Sequence, residues 1–203
     1  MRWSDNPWAI PLYGLAAALA LGELAVVWLM LNPNVPPDYR AYYIDKTTTC
    51  LAQPVTAAYT LGTSIDFRSG GPDTRELLPC GWEGPTGDGM HALGESARLA
   101  FAVPTENLTL TLELTGVTLP GPRQQAVMVS ANGINLGKAM VTPGKTSRFT
   151  FPLPARAIAN GRADILLDLP DAVTTSPGQS NVRKRSIKLV MASLTPATTA
   201  GAR

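Results

Sequence analysis

Apolar positions fall into two regimes along the chain. From Trp8 to Leu31 they run almost unbroken, WAIPLYGLAAALALGELAVVWLML, with Glu23 as the single charged residue. A helix crossing about 30 Å of hydrocarbon needs about 20 mostly apolar residues, so this run predicts one transmembrane helix over residues 8–31. Asn32-Pro33-Asn34-Val35-Pro36-Pro37 ends it, because proline has no amide hydrogen to donate and clashes with the preceding turn. After Pro37 the apolar residues gather in short runs separated by turn clusters, at 55–61, 64–67, 97–103, 108–114, 126–131, 134–141, 147–153, 163–169 and 186–194.

The run Leu108-Thr109-Leu110-Thr111-Leu112-Glu113-Leu114 alternates with a period of two, the pattern of a strand with one buried and one wet face. Asn132-Gly133 stands between two such runs and is the strongest short hairpin signal, so residues 127–131 and 135–141 are expected to pair antiparallel. Strands at this spacing predict an all-β fold, a two-sheet antiparallel sandwich of jelly-roll type, preceded by the one helix. Eighteen prolines and eighteen glycines suit the many turns this needs. The domain plan is an N-terminal flank over 1–7, the helix over 8–31, a Pro-rich linker over 32–46, the sandwich over 47–195 and a small polar tail over 196–203.

Charge adds little. A net +2 with 16% charged residues is a weak field, and the basic run Arg183-Lys184-Arg185 is too short to imply nucleic acid. Cysteine usage adds more, because Cys50 and Cys80 both follow the span. A disulfide closing a loop of about thirty residues contributes about 3 kcal/mol and implies an oxidising compartment. That reading puts the C-terminal domain on the periplasmic side of a bacterial inner membrane; two free thiols in a cytosolic domain is the alternative. The apolar run exceeds the roughly 7–15 residues of a signal-peptide core, so it is expected to stay as an anchor.

Within the helix, Gly14, Ala18 and Gly22 recur every four residues and place small side chains on one stripe, where another helix can approach. Glu23 is the sharper signal, since a carboxylate at membrane depth costs about 2–3 kcal/mol or more and usually faces a partner or water. It is expected to meet a group on a neighbouring membrane subunit, with snorkelling or protonation in lipid as the alternative. Trp3, Trp8 and Trp28, then Tyr39, Tyr42 and Tyr43, suit the two interfacial belts. The span holds no histidine to ligate a chlorin or haem.

The stretch IDFRSGGPDTRELLPCGWEGPTGDGMHALGESARLAFAVP, residues 65–104, is followed by VMVSANGINLG and then by the late run NVRKRSIKLVMASL. This order, anchored on Gly81-Trp82-Glu83, Asn132-Gly133 and Arg183, resembles a carbohydrate-binding-like β-sandwich domain appended to some bacterial membrane glycosyltransferases and phosphoglycerol transferases. The resemblance implies a detached accessory form of that domain, with His91 about where a tryptophan stands in the family. Sugar sites pair an aromatic face with planar polar groups, so Trp82, Glu83, His91 and Arg183 are the candidate glycan-binding residues. A core or rim aromatic is the competing reading of Trp82.

Catalytic signatures are missing from the sequence. There is no Gly-x-Ser-x-Gly elbow and no phosphate-binding loop, and one histidine with two cysteines leaves a zinc set short. Asp73, Glu83 and Asp88 match no ordered calcium loop. No enzyme, metal or cofactor is expected. Two readings follow: a non-catalytic subunit of a larger membrane complex, serving glycan synthesis, respiration or photosynthesis, or a membrane-tethered carbohydrate-binding module.

Overall fold

The structure is a computed structural model that describes residues 9–32, 34, 35, 58–118, 124–174 and 184–197. The apolar helix and the sandwich are separate compact units. The helix, α1, spans Ala9–Leu31 and is long and apolar enough to cross a membrane. Pro11 falls in its first turn, where the amide has no intrahelical partner to lose. Asn32 closes the last turn, with both its backbone N and its Nδ2 donating to the Trp28 carbonyl at 2.9 and 3.0 Å.

The second unit is the expected all-β sandwich. Its strands are β1 (Ser64–Asp66), β2 (Trp82–Thr86), β3 (Gly89–Ala92), β4 (Ser96–Ala102), β5 (Leu108–Gly116), β6 (Gln125–Ala131), β7 (Ile134–Val141), β8 (Thr146–Leu153), β9 (Arg162–Asp168), β10 (Val173–Thr174), β11 (Lys184–Arg185) and β12 (Ile187–Pro196). One sheet has the order β2-β3-β12-β5-β8, with β1 also paired to β12; the other is β4-β9-β6-β7, and β10 and β11 form a small ribbon. The named pairs are antiparallel.

The core lies between the sheets because alternation puts one row of each strand there. Leu108, Leu110, Leu112 and Leu114 of β5 are buried with Leu99 and Phe101 of β4, Val127 and Val129 of β6, and Ile165 and Leu167 of β9. Each such side chain contributes about 1.5–3 kcal/mol by leaving water. On β12 the register slips between Leu189 and Met191, so Leu189 and Val190 are both buried, and the alternation resumes with Met191 facing outward.

The Asn132-Gly133 turn joins β6 to β7 as expected, with φ of 46° and 80°. Asn132 Nδ2 also donates to the carbonyls of Ala157 and Arg162 at 2.7 and 2.8 Å, which ties the turn to the strand entering β9. Two features depart from the sequence reading. The β2–β3 hairpin was not among the expected strands, because Gly84, Pro85, Gly87 and Gly89 hide its alternation; Pro85 is tolerated because β2 is an edge strand. The run expected at 55–61 is described only from Ala58, which makes a single parallel bridge to Ala102.

Candidate functional site

The wet face of the six-stranded sheet carries three rows of side chains in register, polar but for one methionine. Ser64 of β1, Ser193 of β12, Thr111 of β5 and Thr150 of β8 form a row of four hydroxyls. Beside it run Asp66, Met191, Glu113 and Arg148 on the same four strands. The third row is His91 of β3, Lys188, Thr115 and Thr146. Along β5 these rows are two residues, or about 7 Å, apart, and neighbouring strands lie about 4.8 Å apart.

A shallow trough of about 280 Å³ opens over the first two rows, lined by Ser64, Ser193, Thr111, Thr150, Met191, Glu113 and Arg148. None of these is aromatic, and Met191 supplies the only apolar side chain. The floor is an ion pair: Arg148 donates from Nη2 and Nε to Glu113 Oε1 at 2.6 and 3.0 Å. The Glu113 side chain is only 18% exposed while that of Arg148 is 68% exposed, so the acid is fixed and the guanidinium reaches toward solvent. At the end of the charged row, Asp66 is gripped by Arg68 at 2.8–3.1 Å. That hydrogen bonding holds the Asp66 carboxyl below the usual carboxylate range.

The sequence-derived candidates divide between the two faces. Glu83 and His91 stand on the wet face beside the trough. Arg185 donates to Glu83, with Nη2 to Oε1 at 3.0 Å and a second, shorter bond from Nη1. Lys188 pairs with Asp88, which also accepts from Thr86 Oγ1 at 2.8 Å. Trp82 turns the other way: it is 7% exposed, and its Nε1 donates to the Arg98 carbonyl at 2.6 Å. Alternation along β2 accounts for this, since Trp82 pairs with buried Ala92. Trp82 is thus packed within the core cluster, with little of its ring left open. Arg183 lies outside the described residues.

Asp73, Glu83 and Asp88 do not converge; each is engaged by a different cation, respectively Arg75, Arg185 and Lys188. Among the described residues no group of three or more His, Cys, Asp or Glu is arranged to hold a metal ion. Cys80 is buried, and no free cysteine occurs among the described residues; Cys50, the partner expected for it, lies outside them.

His91 Nδ1 is shielded from water and has no hydrogen-bond partner. Burial, then the charges of Arg185 and Lys188, hold the imidazole below its ordinary value of 6.5, against a smaller opposing pull from Glu83 and Asp88. Below about pH 6.5 the unfolded chain takes up a proton that the folded chain resists. His91 therefore supports the fold fully above that pH and less as pH falls through it. Urea unfolding from about pH 7 to about pH 5 is expected to show a smaller loss of stability in His91→Gln than in wild type. Equal losses in the two proteins would remove His91 as the source.

The trough residues were missed because their meeting depends on pairing. Thr109, Thr111 and Glu113 were legible as the wet side of one strand, but their neighbours on β8, β12 and β1 come from register alone.

No family model and no curated protein matches the chain. Solved structures similar to it include the carbohydrate-binding module CBM36 in complex with calcium and xylotriose, at 12% identity and a TM-score of 0.39, covering 66% of this chain and 99% of that one. Another is the xylan-binding module CBM15, at 11% identity and a TM-score of 0.39, covering 70% and 95%. A glycoside hydrolase family 43 arabinoxylan arabinofuranohydrolase from Bacillus subtilis is similar at 10% identity and a TM-score of 0.38; the match covers 69% of this chain and only 28% of the enzyme. These are likenesses alone; the class of the domain, an antiparallel β-sandwich, is set by the chain's own two sheets. An N-terminal apolar helix precedes the sandwich in this chain.

Proposed function

We infer that this protein is a membrane-tethered binding module that holds a polyhydroxylated ligand, a glycan or glycolipid headgroup, on the wet face of its six-stranded sheet. The trough carries the reading. It joins four β-hydroxyls in register to a fixed carboxylate and a reaching guanidinium, the donor and acceptor set that hydroxyl groups require. Its volume, just under the roughly 300–1,000 Å³ of ordinary small-molecule sites, suits a shallow surface ligand. Binding fits the site better than hydrolysis does. A glycosidic general acid needs a raised pKa, whereas an arginine grips each of the two carboxylates of the charged row, and Asp66 is held low.

A glycan array probed with the full chain in a zwitterionic detergent tests the proposal, since sugar-headed detergents would compete. Glu113→Gln combined with Arg148→Gln is expected to weaken the best ligand by roughly tenfold or more, because hydrogen bonds to charged groups contribute about 1.5–3 kcal/mol. Binding that survives this double change would put the site elsewhere.

A second reading concerns the helix. Glu23 lies on α1 with Ala18 and Gly22 on the same surface, and a Cβ built at Gly14 or Gly22 meets no other element within 4 Å among the described residues. The Gly14-Ala18-Gly22 stripe and Glu23 are thus open to a partner helix, in keeping with an accessory subunit of a larger membrane complex. Native mass measurement after mild extraction is expected to show wild type with a partner and Glu23→Leu without it. Free monomer in both would end this reading.

A further inference from the structure

We propose that the ligand of the trough is an uncharged, extended glycan chain lying across the strands, held by hydrogen bonds rather than by stacking. This rests on the binding reading above and narrows it to a ligand class. The first argument is charge. Glu113 balances Arg148, and Asp66 balances Arg68, so the two rows present no net field to draw in an anionic sugar. A uronic acid or phosphate placed over Arg148 would also face the Glu113 carboxylate that this guanidinium already neutralises.

The second argument is direction. The hydroxyls of Ser64, Ser193, Thr111 and Thr150 follow one another from strand to strand, which makes a track of about 14 Å perpendicular to the strands at the ordinary inter-strand spacing. A chain of linked sugars lying along this track repeats the same contact on each strand. A compact headgroup meets only part of it. The third argument is the lining itself. Met191 sits in the middle of the charged row, flanked by Asp66 and Glu113. Without an aromatic face to select sugars by their apolar side, hydroxyl geometry becomes the source of selectivity.

The test uses the full chain in zwitterionic detergent, titrated calorimetrically with two sets of probes. One set is neutral gluco-, xylo- and manno-oligosaccharides from disaccharide to hexasaccharide; the other is oligogalacturonates of the same lengths. At least one neutral series is expected to bind, with affinity rising along the series and levelling once the track is covered. Its affinity should change less than about twofold between low and high salt, since screening acts on charged pairs. Thr111→Val combined with Ser193→Ala is expected to weaken the longest binder about fivefold or more, each lost hydrogen bond contributing about 0.5–1.5 kcal/mol, and to affect the disaccharide less. A thermal melt matching wild type shows that this variant is folded; if it melts early, Thr150→Val and Ser193→Ala are read singly instead.

Galacturonate binding that is salt-sensitive and lost in Arg148→Gln would overturn the neutral-ligand inference and leave the trough as the site. Neutral binding indifferent to the trough variants would overturn the site reading and this inference with it. Failure of both probe sets to bind would overturn both.

Discussion

Replacing Trp82 by alanine is expected to lower the unfolding stability of the sandwich by about 3–5 kcal/mol, the range for removing a large aromatic side chain from a packed core. The same change is expected to leave ligand affinity per folded molecule unaltered. The indole is 7% exposed, and its Nε1 bond to the Arg98 carbonyl at 2.6 Å ties the start of β2 to β4 in the opposite sheet. Removing the ring leaves a cavity in the core and takes a partner from the Arg98 carbonyl, whereas the trough lies on the other face of the six-stranded sheet. Trp82→Phe keeps most of the packing and loses the bond, so it should fall between alanine and wild type. Denaturant unfolding of the three proteins, with glycan binding measured on each, separates the roles. Unchanged stability with lost binding would return Trp82 to the ligand site.

That residue shows what could and could not be read ahead of the fold. The period-two alternation of residues 108–114 located β5 and already separated Leu108, Leu110, Leu112 and Leu114 from Thr109, Thr111 and Glu113, because burial on one face writes itself into the sequence. Asn132-Gly133 marked its hairpin because a turn of that kind needs positive φ at both positions. Trp82 was ambiguous for the opposite reason. An isolated aromatic in a Gly-Pro-rich stretch has no neighbours in period with it, and only the pairing of β2 with β3 decides which face it takes. Glu83 and His91 were found by residue type, yet their setting between Arg185 and Lys188 was not, since β11 and β12 lie about a hundred residues further along the chain. The trough joins four strands that are not consecutive, so no local pattern announces it.

Gly81→Ala is expected to have the largest effect of any single methyl added to this domain, more than about 4 kcal/mol, so that the folded protein barely accumulates. Gly81 has φ of +81°, a region that L side chains rarely adopt. A Cβ there would lie 2.3 Å from the Ser96 carbonyl oxygen and 2.5 Å from Ala97 Cα. Both contacts are backbone, so no side-chain rotation relieves them. Nor can the strands separate easily: Leu93 N donates to the Gly81 carbonyl at 2.8 Å, and Arg98 N donates to the Cys80 carbonyl at 2.9 Å. The methyl would have to break the close approach of β2 and β4 that also seats Trp82. Gly84→Ala three residues on is the matched control, since its Cβ meets nothing within 4 Å and its φ is not positive; it is expected to stay within about 0.5 kcal/mol of wild type. Thermal unfolding of the two variants side by side decides the matter. A Gly81→Ala protein that melts with wild type would mean that β2 and β4 do not approach this closely, and with that the burial of Trp82 would lose its footing.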